Sequence, residues 1–531
     1  MSKSFCRILL PVLALVAGVA AAKAQEGEAQ APGAGLSGLC PEEYARFAAG
    51  PVGASQVQEY YLRQHGLPQW QDAARRAQLL FLLEELRYDG LQPAEYRGSL
   101  QQVSGAGSFS FCRDAEITHD YLLALHHLQH GRLRQAAVEP YWVEPAAGIK
   151  DALPAVDLAL QAPDDLAASF LAARPSRLLY TQLREQLRAA EPMLKVDWPL
   201  VPGGPSLKPG VRDPRVAALR ARLQQAGYWQ DHMLEAGLAT EADIYDESLV
   251  AAVKAFQGDH YLEDDGIVGP ATLRELNVSP RQRMMQIRAN LERLRWLEKY
   301  FEPEMLVVDI AGARLLYLVG GQVTWRTRTQ VGTVARQTPL LKSRITHLTL
   351  NPTWTVPPTI FRNDKLPAIR KDVGYLERSR MQVLDSQGRV LDPGLVDWSA
   401  PGNILLRQEA GPGNALGRVA IRFANPFAVY LHDTPNQHLF GRATRTVSSG
   451  CVRVESVLRL LDLLAPDQPT QKRIEQLLDS GHTRQVTLVK PVPVMLAYLT
   501  VEVDADSRLR FRSDSYGLDQ RVIKELERIM P

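Results

Sequence analysis

The chain has 531 residues, and its 61 Lys and Arg are almost balanced by 59 Asp and Glu, which gives a formal net charge of +2. A near-neutral chain without a Lys/Arg-rich tract does not predict a nucleic-acid partner. Its hydrophobic content of 45% is ordinary for a globular protein. The length exceeds that of a single core and predicts roughly three domains of about 150 residues each.

The N-terminus has the pattern of an export signal over residues 1–24. A basic start with Lys3 and Arg7 is followed by an apolar run, and Ala22-Lys23-Ala24 suits cleavage before Gln25. The run is short for a bilayer span of about 20 residues and contains a proline. An uncleaved anchor is the alternative. We expect an exported protein with no transmembrane span after signal removal.

The cysteines predict one disulfide and one free thiol. Cys6 leaves with the signal, so Cys40, Cys112 and Cys451 remain. In an oxidising compartment Cys40 and Cys112 can pair, which leaves Cys451 as the odd thiol. Such a bridge closes a long loop and would contribute up to about 4 kcal/mol on the chain-entropy model. The alternative is three unpaired thiols, two of them buried.

A loose linker at 25–39 leads into a region, 40–198, that is predicted to be helical. Apolar residues recur at helical spacing in AARRAQLLFLLEELRYDG and in ITHDYLLALHHLQHGRL. The second run contains His126, His127 and His130, which suggest a metal site on one helix face. We reject that site because the glutamate of a zincin-type helix is missing, and solvated or capping histidines are commoner.

A Pro/Gly-rich linker, PLVPGGPSLKPG, separates the helical region from a compact unit at 206–278. Its motifs LRARLQQAGY, AVKAFQ and DGIVGPATLREL resemble the three-helix peptidoglycan-binding domain of bacterial wall enzymes. The resemblance implies binding to glycan strands. The alternative is a spacer that keeps the fold without the binding.

From about Leu306 the pattern changes to short β-rich runs. LVVDIAGARLLYLVGGQVTWRTRTQVG predicts hairpins with Gly320-Gly321 at a turn, and further strands continue to about residue 503. This predicts a mainly-β domain over 304–503, followed by a C-terminal segment at 504–531. A charged insert at 357–418, helical and then rich in turn residues, is a candidate lid or cap. The whole chain is therefore predicted to be multidomain α+β.

A candidate nucleophile and base lie in LHDTPNQHLFGRATRTVSSGCVRVES. Cys451 follows His432 by 19 positions, and an apolar run that begins at Val457 predicts a helix. A catalytic thiol needs a nearby base and an electropositive setting, and a helix N-terminus just after it would stabilise the thiolate. The alternative for Cys451 is a small buried apolar residue. The pattern favours a cysteine acyltransferase or hydrolase.

The order of motifs identifies a resemblance to the L,D-transpeptidase family (YkuD type), in its large variant with a helical scaffold and a capping insert. The motifs are VGTVARQTPL, NPTWTVPPTI, GPGNALGR, VYLHDTP and SSGCVRVE. Many relatives have SHGC where this chain has SSGC, so Ser449 removes a competing base. The resemblance implies that Cys451 attacks a tetrapeptide stem and releases D-Ala. A 3→3 cross-link between diaminopimelate residues then forms, without metal or cofactor.

The resemblance also implies supporting roles near the two reactive groups. Backbone N–H groups of Gly450 and Cys451 would form the oxyanion hole, at about 3 kcal/mol per donor. Asp433 would orient His432 through its backbone carbonyl, and a role for its carboxylate is the competing account. Ser449 would contact the substrate.

Three further side chains are expected at the substrate. Arg453 would hold the loop or a substrate carboxylate, unless it forms only a surface ion pair. Tyr430, two positions before His432 on a strand, should face the same side and line the pocket. Trp354 would line it too, unless it packs the core.

Other outcomes share the first half-reaction. Water would make the protein an L,D-carboxypeptidase, and a lysine of an envelope protein would make it a wall-anchoring enzyme. A non-catalytic wall-binding protein and a secreted cysteine protease are further alternatives. By resemblance, carbapenems should acylate Cys451, and the protein should work in a Gram-negative periplasm. Its expected partners are peptidoglycan stems and strands, D,D-carboxypeptidases and other wall synthases.

Overall fold

The structure is a computed structural model that describes residues 36–47, 50–101, 109–139, 142–143, 153–192, 196, 198–230, 243–465, 467–504 and 507–528. The expected export signal at 1–24 and most of the expected linker lie outside these residues. Within the described ranges, no helix combines the length and the apolar character that crossing a membrane requires.

The N-terminal region is helical, as its periodicity predicts. Apolar side chains from most of its helices meet in one core, in which Tyr121 and Leu125 of the longest helix are fully buried. A disulfide joins Cys40 to Cys112, with 5.4 Å between their Cα atoms, and ties the start of the region to that helix. The helices are α1 (Leu36–Leu39), α2 (Pro41–Phe47), α3 (Ala54–Arg63), α4 (Ala73–Glu85), α5 (Gly98–Gln101), α6 (Phe111–His130), α7 (Gln135–Val138), α8 (Ala155–Gln161), α9 (Leu166–Ala173) and α10 (Leu178–Ala190).

Three helices form the next unit: α11 (Arg215–Gln225), α12 (Glu247–Asp259) and α13 (Pro270–Leu276). Leu219, Val253 and Phe256, which the sequence places at helical spacing, are buried in its core. The Asp246 side chain accepts a hydrogen bond from the Leu249 N–H and so caps α12. This unit has the three helices that its motifs predict.

A long helix that the sequence analysis did not assign, α14 (Pro280–Glu298), lies at the centre of the molecule. It begins with a capping box in which Ser279 and Gln282 satisfy each other's backbone N–H groups. Its buried Arg293 pairs with Glu139 of the helical region and with Asp519 near the C-terminus. This helix therefore connects the helical region to the rest of the chain.

The mainly-β domain is built on a nine-stranded sheet in the order β11-β3-β12-β10-β9-β4-β13-β1-β2, and a β2–β3 pairing closes it into a ring. Pairs β1–β13, β10–β12 and β11–β3 are parallel. The strands are β1 (Glu304–Asp309), β2 (Arg314–Val319), β3 (Gln322–Gly332), β4 (Leu341–Leu350), β5 (Trp354–Thr355), β6 (Met381–Leu384), β7 (Val390–Leu391), β8 (Leu405–Gln408), β9 (Val419–Phe423), β10 (Leu431–His432), β11 (Thr446–Ser448), β12 (Val452–Val454), β13 (Arg484–Ala497), β14 (Val501–Val503) and β15 (Leu509–Phe511).

The insert differs from its predicted form, because strands replace the expected turns in its second half. Strands β5–β8 form a separate four-stranded sheet, and β5 precedes the predicted insert boundary. A small core of its own includes Val356, Ile369, Val383 and Leu406. The remaining helices are α15 (Pro358–Ile360), α16 (Leu366–Lys371), α17 (Tyr375–Arg378), α18 (Val457–Leu464), α19 (Gln468–Asp479) and α20 (Leu518–Arg528), and residues Phe361–Lys365 are π-helical.

The C-terminal segment packs into the molecule. Strand β15 pairs with β14, and α20 buries Val522 and Leu526 against Met285 and Ala289 of α14. The segment therefore supports both the central helix and the adjoining sheet.

Candidate active site

Two short parallel strands position the predicted base and nucleophile. Strand β10 contains His432, and strand β12 begins directly after Cys451. In their register Leu431 pairs with Val452 and His432 with Arg453. The Val452 N–H donates to the Tyr430 carbonyl at 3.1 Å, so the pairing extends one residue back toward Cys451.

Alternation along these strands places four predicted site residues on one face. Leu431 and Val452 are fully buried in the domain core. Because successive side chains of a strand point to opposite faces, Tyr430, His432, Cys451 and Arg453 share the other face. The Tyr430 and His432 rings lie 5.5 Å apart between centroids.

The expectation that a helix N-terminus directly follows Cys451 and stabilises its thiolate is wrong. Strand β12 follows the cysteine directly, and helix α18 begins only at Val457. The electropositive setting comes instead from two guanidinium groups. Arg422 and Arg453 both favour the thiolate and lower the pKa of Cys451, against burial, which raises it.

The imidazole of His432 is held in one neutral tautomer. Its side chain is buried, with 4% exposed, and its Nδ1 lies 2.5 Å from the Asp433 carbonyl oxygen. A carbonyl only accepts hydrogen bonds, so Nδ1 carries the proton and Nε2 keeps its lone pair. Burial, followed by the charge of Arg453, lowers the pKa of His432 to about 3. The imidazole is therefore neutral at neutral pH.

The Asp433 carboxylate is engaged away from the imidazole. It accepts the Arg418 N–H at 2.8 Å and the Gln437 side-chain amide at 3.2 Å. A Cβ at Gly417, where φ is +58°, would lie 2.2 Å from the same carboxylate. The carboxylate therefore holds the last residues of the insert region, and the backbone carbonyl contacts the base.

The thiol of Cys451 is free and half-buried. Burial raises its pKa, while the Tyr430 backbone N–H and the two guanidinium groups oppose this rise. The thiol therefore favours its protonated form, while His432 on the same face is neutral.

Two polar residues of this face escaped the sequence analysis. The Arg422 guanidinium stacks 3.9 Å from the centre of the Tyr430 ring, and Gln330 accepts a hydrogen bond from Arg453 at 3.0 Å. Gln330 comes from β3, which is distant in sequence from β12, whereas Arg422 comes from β9, the strand that directly precedes β10 in the chain. The pairing of β9 with β10 and of β3 with β12 brings both residues to this face.

The SSGC segment is held by its first serine. Ser448 Oγ donates to the Cys451 carbonyl at 2.6 Å and accepts the Gly450 N–H at 3.1 Å, while Thr338 Oγ1 donates to the Gly450 carbonyl at 2.9 Å. Gly450 has φ of +114°, which favours glycine. Contrary to the expectation for the oxyanion hole, the Gly450 N–H is engaged within its own loop.

Ser449, the second serine, is exposed and contacts the insert through an arginine. Arg336 donates to Ser449 Oγ at 3.0 Å and forms a two-pronged ion pair with Asp364 at 2.6 and 2.8 Å. Asp364 belongs to the π-helical part of the insert. The start of the insert is thus linked to the residue two before the nucleophile, and its end, at Arg418, to the residue after the base.

Trp354 lies with the insert. It pairs with Gln408 in the four-stranded sheet, packs against the core of the insert, and has the Lys365 ammonium 5.6 Å from its ring centre. Trp354 was expected either to line the substrate pocket or to pack in a core, and these contacts correspond to packing in the core of the insert.

A cavity of about 920 Å³ lies between the helical region and the end of α14, and neither Cys451 nor His432 lines it. The three histidines of α6 line it instead. His127 is buried and bonded to the Tyr96 hydroxyl at 2.9 Å, which differs from the expected solvated or capping role. Burial lowers the pKa of His126 to about 4.

Comparison with known proteins agrees with the motif order. A family model described as an L,D-transpeptidase catalytic domain (YkuD) matches residues 303–475. Residues 303–475 therefore match the sequence pattern of an L,D-transpeptidase catalytic domain. Models of a scaffold domain and of a peptidoglycan-binding domain match residues 55–187 and 212–276.

A Haemophilus influenzae protein, provisionally named an L,D-transpeptidase, is 32% identical over 255 residues. The match covers 47% of this chain and 50% of the relative, so this chain spans about half the length of the curated relative that it matches. Among solved structures, an L,D-transpeptidase from Mycobacterium smegmatis is 14% identical, covering 37% of this chain and 58% of that chain, with a TM-score of 0.17. One from Stackebrandtia nassauensis is 12% identical, covering 56% and 96%, with a TM-score of 0.20. TM-scores this low carry no argument.

The region that the L,D-transpeptidase model matches contains the whole face described above. Cys451, His432, Tyr430 and Arg453 come together there, and Ser449, Gly450 and Asp433 flank them. The disulfide of Cys40 and Cys112 lies in the helical region, and α20 lies beyond the residues that the catalytic model matches.

Proposed function

We propose that this protein is a peptidoglycan L,D-transpeptidase with Cys451 as nucleophile and His432 as general base. The observation that carries the proposal is the free thiol on the same strand face as a buried, neutral imidazole, inside a domain matched by the L,D-transpeptidase model. The substrate would be the tetrapeptide stem, cut between diaminopimelate and the terminal D-Ala.

In the first half-reaction His432 Nε2 takes the thiol proton as Cys451 Sγ attacks the diaminopimelate carbonyl carbon. The carbon–nitrogen bond to D-Ala then breaks, and the imidazolium returns the proton to the departing amine, leaving a thioester. With the Gly450 N–H engaged, the Cys451 N–H is the proposed oxyanion donor in this loop. In the second half-reaction the side-chain amine of a neighbouring diaminopimelate attacks the thioester. This forms the 3→3 cross-link and regenerates the thiol.

The residues around Cys451 and His432 would have supporting roles in the reaction. The Asp433 carbonyl would fix the tautomer of His432, since it accepts from Nδ1. Arg453 and Arg422 would stabilise the thiolate as it forms. Tyr430, stacked under Arg422, would form one wall of the pocket.

The flanking domains suit work on a polymer. The peptidoglycan-binding domain would hold a glycan strand while the insert covers the stem at the catalytic face. We place the predicted boundaries at 1–24, 25–39, 40–198, 206–278, 304–503 with the insert at 357–418, and 504–531. With the export signal this arrangement favours the periplasm of a Gram-negative bacterium, where D,D-carboxypeptidases would supply tetrapeptide stems.

Two other resolutions of the thioester remain candidate functions, because all three begin with the same acylation of Cys451. Hydrolysis would make an L,D-carboxypeptidase, and lysine attack a wall-anchoring enzyme. A non-catalytic wall-binding protein would leave Cys451 unacylated.

The deciding experiment incubates the mature protein with disaccharide tetrapeptides and follows the products by mass spectrometry. We expect dimers that have lost one D-Ala per new bond, and no D-Ala release by Cys451→Ala. Tripeptide without dimers would indicate the carboxypeptidase. Absence of any product, together with no mass gain at Cys451 on exposure to a carbapenem, would refute the enzyme assignment.

A further inference from the structure

A second cavity, of about 430 Å³, adjoins the nucleophile loop. Ser449 and Gly450 form part of its wall, and the loop that carries Arg336 and Thr338 forms another part. Helix α20 closes the remaining side with Leu518 and Arg521. A molecule bound in this cavity would therefore contact the residue immediately before Cys451.

The cavity has an open mouth and an apolar floor. Val334 and Phe427 at the mouth are 60% and 40% exposed, whereas Leu340, Val429 and Leu518 are buried. Such a shape removes aliphatic groups from water while leaving the rim open to a longer chain. It suits a short peptide segment with small apolar side chains.

The charges at the cavity leave one cation without an ion-pair partner. Arg336 is paired with Asp364, and the buried Glu139 is paired with Arg293. Arg521 is exposed, and within the described part of the chain it takes part in no ion pair. The lining is thus electropositive by one guanidinium group, which is the preferred partner of a carboxylate.

We propose that this cavity binds a carboxylate-bearing segment of the stem peptide and that Arg521 recognises that carboxylate. The inference rests on the proposed function, because it takes the stem as the substrate. Two carboxylates of the donor have the right chemistry: that of the terminal D-Ala and that on the side chain of diaminopimelate. Both carboxylates lie close to the bond that Cys451 would cut, and Ser449 and Gly450, which line the cavity, immediately precede Cys451 in the chain.

The assignment makes α20 part of substrate recognition. This helix lies outside residues 303–475, to which the catalytic family model applies. It is held in place by the buried pair of Asp519 with Arg293 and by Val522 in the core next to α14. Arg521 is thereby presented from a rigid element.

The test measures steady-state D-Ala release by the full mature chain from disaccharide tetrapeptide. For Arg521→Ala we expect KM to rise roughly fivefold, the upper size of an ion pair at an exposed site, with kcat unchanged. Lys524→Ala, an exposed cation of the same helix that does not line the cavity, is the matched control and should leave KM unchanged.

Amidated substrates identify the carboxylate. A tetrapeptide amidated at the D-Ala terminus and one amidated at the diaminopimelate side chain are compared in both proteins. Amidation of the carboxylate that Arg521 binds should raise the KM of the unmodified chain. For that amidated substrate, Arg521→Ala should cause no further rise in KM. Equal KM values for Arg521→Ala and the unmodified chain on the unamidated substrate would overturn the inference.

A failure of the proposed function would look different, because the unmodified chain would then release no D-Ala at all. In that case equilibrium binding of the same tetrapeptide to Cys451→Ala is compared with binding to Cys451→Ala/Arg521→Ala. Roughly fivefold weaker binding by the double variant would support the inference. Identical dissociation constants would overturn it.

Discussion

The depressed pKa of His432 predicts how the rate depends on pH. An imidazole with the ordinary pKa of about 6.5 is only about 3% neutral at pH 5, so a rate that needs the neutral base would fall about 30-fold between pH 7.5 and 5. With a pKa of about 3, His432 would stay about 99% neutral over that range. We therefore expect kcat/KM to change by less than about twofold from pH 7.5 to pH 5.

Arg453 supplies the internal test of this reasoning. Its positive charge disfavours the imidazolium and so lowers the pKa of His432. Replacing it in Arg453→Ala should raise that pKa and move the acid limb of the pH profile to higher pH. The same change should raise the pKa of Cys451, whose thiolate Arg453 stabilises.

The assay is the initial rate of D-Ala release from disaccharide tetrapeptide between pH 2.5 and 9, a range that includes the acid limb expected near the pKa of about 3. Arg459→Ala is the matched control, because Arg459 is an exposed arginine on α18 that pairs with Asp462. It should leave the profile unchanged. An acid limb near pH 6.5 in the unmodified protein, or no movement of the limb in Arg453→Ala, would refute the assignment of a buried neutral His432.

Asp433→Asn should leave turnover within about twofold, because the amide oxygen can still accept the Arg418 N–H and the base is held by the carbonyl; a much larger fall would require the carboxylate in catalysis. Replacing Cys40 and Cys112 by Ser should destabilise the helical region by about 4 kcal/mol, because the disulfide closes a loop of 72 residues. Proteolysis in this region should then begin at a lower urea concentration, and an unchanged urea concentration would contradict a stabilising role of the disulfide. Asp364→Asn should break the ion pair between the insert and the nucleophile loop and raise KM for the tetrapeptide by about threefold or less, with unchanged alkylation of the thiol. Asp372→Asn, which breaks an exposed pair within the insert, is its control, and equal KM values for the two variants would contradict a coupling role.

The elements that local pattern encodes were predicted well. Helical spacing located α4, α6 and the three helices of the peptidoglycan-binding unit, and Gly320-Gly321 marks the turn between β2 and β3. The insert was less well predicted, because its strands are only two to four residues long, and β5 and β6 pair with β8, more than 20 residues further along the chain. The long α14 was missed even though its capping box at Ser279 and Gln282 is a local signal.

At the catalytic face, the sequence by itself determined the reactive types and their order: a base, a Ser-Ser-Gly loop and a thiol. The residue types and their order can be read from the sequence because each motif spans only a few consecutive residues. It also indicated that Tyr430 and His432 share a face, since strand alternation is a local property.

Tertiary structure alone decided how those groups behave. The register of β10 on β12 places Arg453 opposite His432, and pairing with β9 and β3 brings in Arg422 and Gln330. The protonation states follow from burial and from these charges, which strand pairing brings to His432 and Cys451. Helix α20 closes the neighbouring cavity for the same reason: its position is set by packing on α14 and not by any motif of its own.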